Sequence, residues 1–334
     1  MRRSGPIPVV LDVDTGVDDA CALLLAARHP GLDLRAVTCV AGNAAVDQVV
    51  RNTLTVLAIA GRDDVPVGRG ADRPLLEPAR PARHVHGEDG MGDLGLAPAG
   101  RRADARHAVV LLRDVLTEAA ATGRRVTLVP LAPLTNVALL LRTYPEAAAG
   151  LARIVFMGGA ALTGNATAAA EFNVWHDPEA AAIVLEAAAH LGVPVTMYGL
   201  DVFYRPVVTR AQAEALRSVA GAAPRLAGDL IAFQCQRFDA DAASIGDAGA
   251  VCAVVEPGGL ITRRLPVRVE LTGSWTRGQT VVDQREWAGD LAHDPHGRGS
   301  ALIDVALGVD GDRYAALWLD TVATSGRPAD TSTG

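Results

Sequence analysis

The sequence predicts a single α/β domain with a mostly parallel central sheet flanked by helices, and an active site at the carboxyl ends of the strands. Three observations point there. Up to about residue 200, short apolar runs alternate with polar loops and helical patterns, the rhythm of a parallel sheet with helices on both faces. The first run, Val9-Val10-Leu11, opens into Asp12, Asp14, Thr15, Gly16, Asp18 and Asp19, and open α/β sheets bind ligands beyond the carboxyl ends of their strands. Across 334 residues, 49% of them apolar, no linker, internal repeat or charge block breaks the chain. One large core is the simplest organisation.

Each element follows from its pattern. After the first strand, apolar helical spacing runs from Ala20 to Ala27, and Leu34–Val40 reads as a second strand ending in Ala41-Gly42-Asn43. A helical pattern follows from Val46 to Ala60. Residues 66–106 are rich in Gly, Pro, Arg and Asp with little periodicity, and a stretch that long in one domain is commonly a functional loop. It contains His84-Val85-His86-Gly87-Glu88-Asp89-Gly90-Met91-Gly92, which by itself reads equally as a surface turn. His107–Ala121 is helical, Arg125–Val129 is a strand, and Leu134-Thr135-Asn136 starts a helix. Ile154–Met157 is a strand closed by Gly158-Gly159. Asp177-Pro178 then opens an alanine-rich helix to His190, since proline suits a first helical turn. Val195–Tyr198 is one more strand. Beyond it the pattern predicts helices near 209–218, 224–236 and 249–255, strands at Leu265–Leu271 and Ala301–Val305, and a last helix at Arg313–Val322. The polar tail 325–334 reads as disordered.

Residues 9–20 carry the chemistry. Strand alternation puts Asp12 and Asp14 on one side and Val13 on the other. Gly16 permits a tight turn, and Asp18 or Asp19 can cap the next helix. Four carboxylates within eight residues repel one another and imply a compensating cation. Hard oxygen donors suit Ca²⁺ or Mg²⁺ rather than zinc. Capping and solvation account for Asp18 and Asp19, but not for Asp12 and Asp14 in an apolar strand.

Composition narrows the classes. Net charge is −7 with no basic stripe interleaved with aromatics, which argues against a nucleic-acid partner. No apolar run reaches the roughly 18 residues of a membrane span, and the amino terminus has too short an apolar stretch for a signal peptide. A cytoplasmic protein is expected. Cys21, Cys39, Cys235 and Cys252 sit among apolar neighbours with no metal spacing and read as reduced core thiols. All 31 basic residues are Arg. Histidines on loops, such as His84, His86, His176 and His293, are ordinarily solvated or packing residues.

The polar groups at predicted strand ends form one set: Asp14, Asp18, Asp19, Asn43, the Leu131 carbonyl, Asn165, Glu171, Asn173 and Asp247. Carboxylates, amides and a carbonyl suit a calcium site and a polyhydroxylated substrate. Here the sequence resembles the nucleoside hydrolase family, the inosine-uridine-preferring N-ribohydrolases. The signature D-x-D-P-G-x-D-D is similar to Asp12–Asp19, with Thr15 in place of proline. Further matches, in order, are Gly42-Asn43, the histidine motif at 84–92, LTN at 134–136, MGG at 157–159, GNAT at 164–167, EFN at 171–173, DPEAA at 177–181 and ELTGSWTRGQTVVD at 270–283.

The resemblance implies a nucleoside hydrolase-like domain over 1–324 that hydrolyses ribonucleosides to free base and ribose. It implies Ca²⁺ held by Asp14, Asp19, the Leu131 carbonyl and Asp247, with Asp18, Asn43, Asn165, Glu171 and Asn173 clamping the ribose and Met157 beneath it. A metal-bound water deprotonated by Asp14 would attack C1′, with Asn173 and His86 also counted as catalytic; the transition state is oxocarbenium-like, so surrounding negative charge stabilises it. It further implies a cytoplasmic homodimer or homotetramer serving nucleoside catabolism and base salvage, with no nucleic-acid or membrane partner. The chain departs from the family at Gly246, where many members carry the histidine that protonates the leaving base, and at Ala248, which replaces a proline. Base-side candidates are His86, Trp175, His176, Gln234 and Phe238, and base preference is left open.

Two other readings compete. A nucleoside or ribose binder of the same fold would hold Ca²⁺ without turnover. A haloacid dehalogenase-like phosphatase also begins strand-DxDxG, but it requires a different residue where Gly16 stands and a downstream basic residue, usually the lysine this chain lacks.

Overall fold

The computed structural model describes residues 5–286 and 301–324. The strands among them are β1 (Ile7–Val13), β2 (Leu32–Cys39), β3 (Val67–Arg69), β4 (Asp104–His107), β5 (Val126–Pro130), β6 (Leu151–Met157), β7 (Val195–Tyr198), β8 (Val207–Thr209), β9 (Ala242–Ser244), β10 (Leu260–Val269), β11 (Thr280–Val282) and β12 (Ala301–Val309). Ten of these form one sheet in the order β11-β10-β12-β7-β6-β5-β1-β2-β3-β4, while β8 and β9 pair separately. From β12 to β4 every neighbouring pair is parallel. Strand β10 runs antiparallel to both β12 and β11 at one edge. The expected architecture is therefore observed as one domain with helices on both faces of the sheet.

Strand β1 sits between β5 and β2, and Val9 through Val13 are all fully buried. A strand covered on both faces needs apolar residues in both registers, which is why the run lacks polar alternation until Asp12. Val9, Leu11 and Val13 belong to one core cluster and Val10 to the other, so successive side chains serve opposite layers. The first layer includes the helices Val17–Arg28, Ala248–Val255 and Gly311–Ala323. The second includes Ala108–Thr122, Thr135–Thr143 and Pro178–Leu191. All four cysteines are buried free thiols. No helix among the described residues is long and apolar enough to cross a membrane.

Differences from expectation lie where elements are short or at an edge. Residues 66–106 contain β3 and β4 and one helical turn, Arg83–His86. Strands of three and four residues are too short to print a periodicity. His107 ends β4 and caps the next helix, its Nδ1 accepting the Val109 N–H at 3.3 Å. Strand β10 starts at Leu260 rather than Leu265, because its edge position leaves Ile261 and three polar residues exposed and hides the apolar signal. The pair β8–β9 and the short helices Phe172–His176 and Leu200–Phe203 were not expected at all. The expected tail 325–334 and His293 lie outside the described residues.

The last helix closes the first layer. Trp318 is fully buried and donates its indole N–H to the Cys21 carbonyl at 3.0 Å, so the helix Gly311–Ala323 is packed against the helix that follows β1. Trp318→Ala is expected to cost about 3–5 kcal/mol by cavity formation. Urea unfolding monitored by circular dichroism measures it, and an unchanged midpoint would show that the helix is dispensable.

Candidate active site

Immediately after β1 the backbone turns, and the acids part company. Asp12 is still in the strand: its Oδ1 accepts from the Thr38 hydroxyl at 2.6 Å and from Asn136 Nδ2 at 2.8 Å. Asn136 also donates to the Cys39 carbonyl at 3.0 Å, so Asp12 and the Leu-Thr-Asn motif tie β1 to β2 and to the following helix. Burial pushes the Asp12 carboxyl up to about 7. This corrects the expectation that Asp12 and Asp14 face one site. Alternation holds only while the chain is extended, and β1 ends at Val13.

Asp14 lies past that end. Its Oδ2 accepts the Asn43 N–H at 2.7 Å, while its Oδ1 is buried with no hydrogen-bond partner. Asp19 caps its own loop, accepting the N–H groups of Asp14 at 3.2 Å and Gly16 at 2.9 Å, and Asn43 Nδ2 reaches it at 3.3 Å. A side chain at Gly16 would collide with His86 Nδ1 at 2.7 Å, so glycine admits the histidine loop to the acid turn. Oxygens of Asp18, Asp19 and Asp247 lie within 4.8 Å of one another. Asp247 begins the helix Ala248–Val255 and thus reaches the β1 end from far along the chain.

Burial, reinforced by neighbouring acids, holds Asp14 and Asp247 well above the usual carboxylate range and brings Asp19 to about 7. Such a group accommodates a cation in place of protons. The donors are hard oxygens and Asp14 Oδ1 is unpartnered, so the residues fit a hard divalent cation.

The neighbouring strand ends supply the remaining polar groups. Glu171 accepts the N–H groups of Gly159 at 2.8 Å, Asn173 at 2.8 Å and Val174 at 3.1 Å; it caps the short helix after β6, and burial raises it to about 7. Asn173 Nδ2 donates to the Leu131 carbonyl at 3.0 Å and to the Met157 carbonyl at 3.2 Å. That leaves one lone pair on the Leu131 oxygen for another partner. Asn165 Oδ1 accepts the Phe172 N–H at 2.9 Å, and Asn165 Nδ2 lies 3.5 Å from the Tyr204 hydroxyl.

These groups border a cavity of about 650 Å³ lined by Asp18, Asn43, Leu131, Met157, Asn165, Glu171, Asn173 and Asp247, with Asp14 and Asp19 buried beside it. Its other walls include His86, Trp175, Gln234 and Phe238, four of the five base-side candidates. His176 is not among them. Its ring is buried 5.4 Å from Phe172 with neither nitrogen bonded, and burial holds it at about 4; its place on the inner face of the short helix makes it a packing residue. His86 is buried, accepts the Val17 N–H on Nδ1 at 3.2 Å, and lies 3.7 Å from Asp18. Its neutral ring therefore carries the proton on Nε2.

The sequence reading missed several lining residues: Arg80, Phe172, Phe203 and Tyr204. Phe203 and Tyr204 follow the end of β7, a position that strand-end logic could have flagged. Arg80 lies in the aperiodic loop and carried no signal. The Thr15 departure from the family pattern has a partner, since its hydroxyl meets that of Thr53 at 2.6 Å. Nearby, Asn52 Nδ2 bonds the carbonyls of Thr15 at 3.0 Å and Asp89 at 2.9 Å, which staples the acid turn to the histidine loop.

Comparison with known proteins agrees with this geometry. The family model described as inosine-uridine preferring nucleoside hydrolase matches residues 9–316. The chain is 36% identical over 327 residues to the inosine-uridine preferring nucleoside hydrolase of Leishmania major, covering 97% of this chain and 99% of that one. It is 39% identical over 282 residues to the pyrimidine-specific ribonucleoside hydrolase RihA of Photobacterium profundum, covering 83% and 89%. The structure superposes on the plant nucleoside hydrolase PpNRh1 with a TM-score of 0.86 at 29% identity, covering 96% of this chain and 100% of that one.

Gly246 has φ +57°, and a Cβ there would lie 2.4 Å from Asp18 Cβ and 3.2 Å from Phe203. Glycine is required twice over, by conformation and by space. Gly246→Ala is expected to destabilise by about 1–3 kcal/mol through overpacking and strain, read from the urea midpoint. A neutral result would show that Asp18 gives way easily.

Proposed function

The chain belongs to the inosine-uridine preferring nucleoside hydrolase family, and from that premise we propose that it cleaves the N-glycosidic bond of ribonucleosides with the help of Ca²⁺. The observation that carries the metal dependence is the convergence of Asp18, Asp19 and Asp247 oxygens within 4.8 Å, beside the unpartnered Asp14 Oδ1. Asp14, Asp19, Asp247 and the Leu131 carbonyl would hold the ion. When bound, it would orient the ribose hydroxyls and lower the pKa of a water.

The chain's own groups do the rest. Asp18, Asn43, Asn165, Glu171 and Asn173 present donors and acceptors to the sugar, with Met157 against its face. The backbone bonds that Glu171 and Asn173 already make fix those side chains before substrate arrives, so little ordering is left for the bound state. Asp14 Oδ1 takes a proton from the water that attacks C1′. The buried acids around it stabilise positive charge developing on the sugar. His86, which lines the same cavity, would offer its Nε2–H to the base. The relatives' names differ in base, inosine-uridine in one and pyrimidine in another, so base choice must come from this chain's own walls. A homodimer or homotetramer and a place in cytoplasmic base salvage complete the proposal.

Reducing-sugar release from uridine, inosine, cytidine and adenosine, before and after chelation and calcium add-back, tests it. Release is expected to vanish with chelator and return with Ca²⁺; equal release in both arms would overturn the metal dependence. Asp14→Ala should lose at least about 10²-fold in kcat, the scale of a missing general base, and wild-type turnover in that variant would remove Asp14 from the chemistry. Calcium at a hundred times its Kd should also stabilise the protein by about 2.7 kcal/mol, which thermal unfolding reads independently of turnover. A ribose binder without turnover would show the stabilisation and no sugar release.

A further inference from the structure

At the position where many relatives present an acid to the departing base, this chain has Gly246 and, as shown above, no room for a side chain. Among the described residues that line the cavity, Arg80 is the one whose side chain carries a permanent positive charge. We propose that Arg80 is a catalytic residue for departure of the base: its guanidinium takes up negative charge as the C1′–N bond breaks, so the enzyme favours bases that leave as oxygen-stabilised anions. This rests on the hydrolase reading above.

The seat of Arg80 is built from both charge and shape. Its guanidinium carbon stands 5.1 Å over the Trp175 ring, in cation–π range, and Trp175 lines the same cavity. Glu77 pairs with it at 3.1 Å. Glu77 also meets Arg277 at 3.6 Å, and Arg277 pairs with Glu179 at 2.7 Å. The charge of Glu77 is thus shared, and a guanidinium has five donors, of which this arrangement uses few. The side chain is half exposed where it lines the cavity, while Asp14, Asp19, Asp247 and Glu171 are buried. With the sugar among the acids, the base of a nucleoside would lie against the remaining lining residues, which include Arg80, Trp175, Gln234 and Phe238.

The chemistry balances without a proton donor at the base. The C1′–N electron pair stays on the base nitrogen and spreads onto its oxo groups, which the guanidinium faces. The water oxygen supplies the new pair to C1′ and its proton passes to Asp14. The free base is protonated by solvent after it leaves. A guanidinium keeps its proton throughout and does not act as an acid here; it stabilises charge. Uracil, hypoxanthine and xanthine suit such a site, whereas adenine and cytosine, which gain most from ring protonation, do not.

The test uses the calcium-loaded full chain and a series of ribosides graded by leaving-group pKa: 4-nitrophenyl riboside, xanthosine, uridine, inosine, cytidine and adenosine. Arg80→Met keeps an apolar stem on Trp175 and removes the charge; Arg80→Lys keeps the charge without the planar fork. Arg80→Met is expected to lower kcat for uridine and inosine by about 10²-fold, as for removal of one charge-stabilising donor, and to lower it less for 4-nitrophenyl riboside. A plot of log kcat against leaving-group pKa then steepens, and Arg80→Lys falls between the two. A uniform loss across the series would overturn the proposal in favour of a structural part, as would no loss at all. If the wild-type chain cleaved none of the ribosides, including the activated one, the hydrolase reading itself would fail. Thermal midpoints of the variants separate folding from chemistry.

Discussion

The buried carboxylates beyond β1 repel one another, and that repulsion is the constraint from which the rest of the site follows. Asp14, Asp19 and Asp247 are removed from water with Asp18 among them. Backbone N–H groups of Asp14, Gly16 and Asn43 offset part of the negative charge, and the remainder gives the cavity floor its affinity for a cation. The same field suits a sugar that becomes positive at C1′. Binding a divalent ion and stabilising an oxocarbenium-like centre are, on the proposed reaction, two uses of one charge distribution.

Concentrating that charge requires a rigid frame. Strand β1 is held by parallel neighbours on both edges and by a core layer on each face. Asp12 serves the frame rather than the site, joining Thr38 and Asn136. The Asn52 amide and the His86 ring bind the histidine loop back onto the acid turn. Arg237, at the end of a distant helix, donates to the His84 carbonyl at 2.8 Å. The walls over the floor are therefore fastened at several separate points, which limits how far the base side can shift relative to the sugar side.

That separation matters for how a family can change its preference. The groups proposed to face the ribose lie at and beyond the ends of β1, β2 and β6, and Glu171 and Asn173 among them are tied by hydrogen bonds to the backbone. The groups proposed to face the base come from the aperiodic loop around Arg80, from Trp175, and from the end of the helix Ala222–Arg237. These groups meet the cavity through their side chains. Gly246 and Arg80 both lie outside the proposed set of metal donors.

Much was legible in the sequence because local rules decided it. The apolar run of β1, the acids at its end, the Asp177-Pro178 helix start and the Val195–Tyr198 strand each follow from a few consecutive residues. The family resemblance then singled out the residues that the fold brings together, from Asp14 to Asp247. The short elements β3, β8, β9 and the helix Phe172–His176 were not legible, since none carries an apolar run of the kind that marks β5 or β7 and each is held by tertiary contacts. The sequence by itself determined which strand ends carry polar groups. Only the tertiary structure decided which of those groups meet: it turned Asp12 into the frame and His176 into the core, closed position 246 to any side chain, and set Arg80 against Trp175. The physical reason is that alternation and helical spacing fix directions only within one element, whereas the turns and long-range packing between elements fix what faces what.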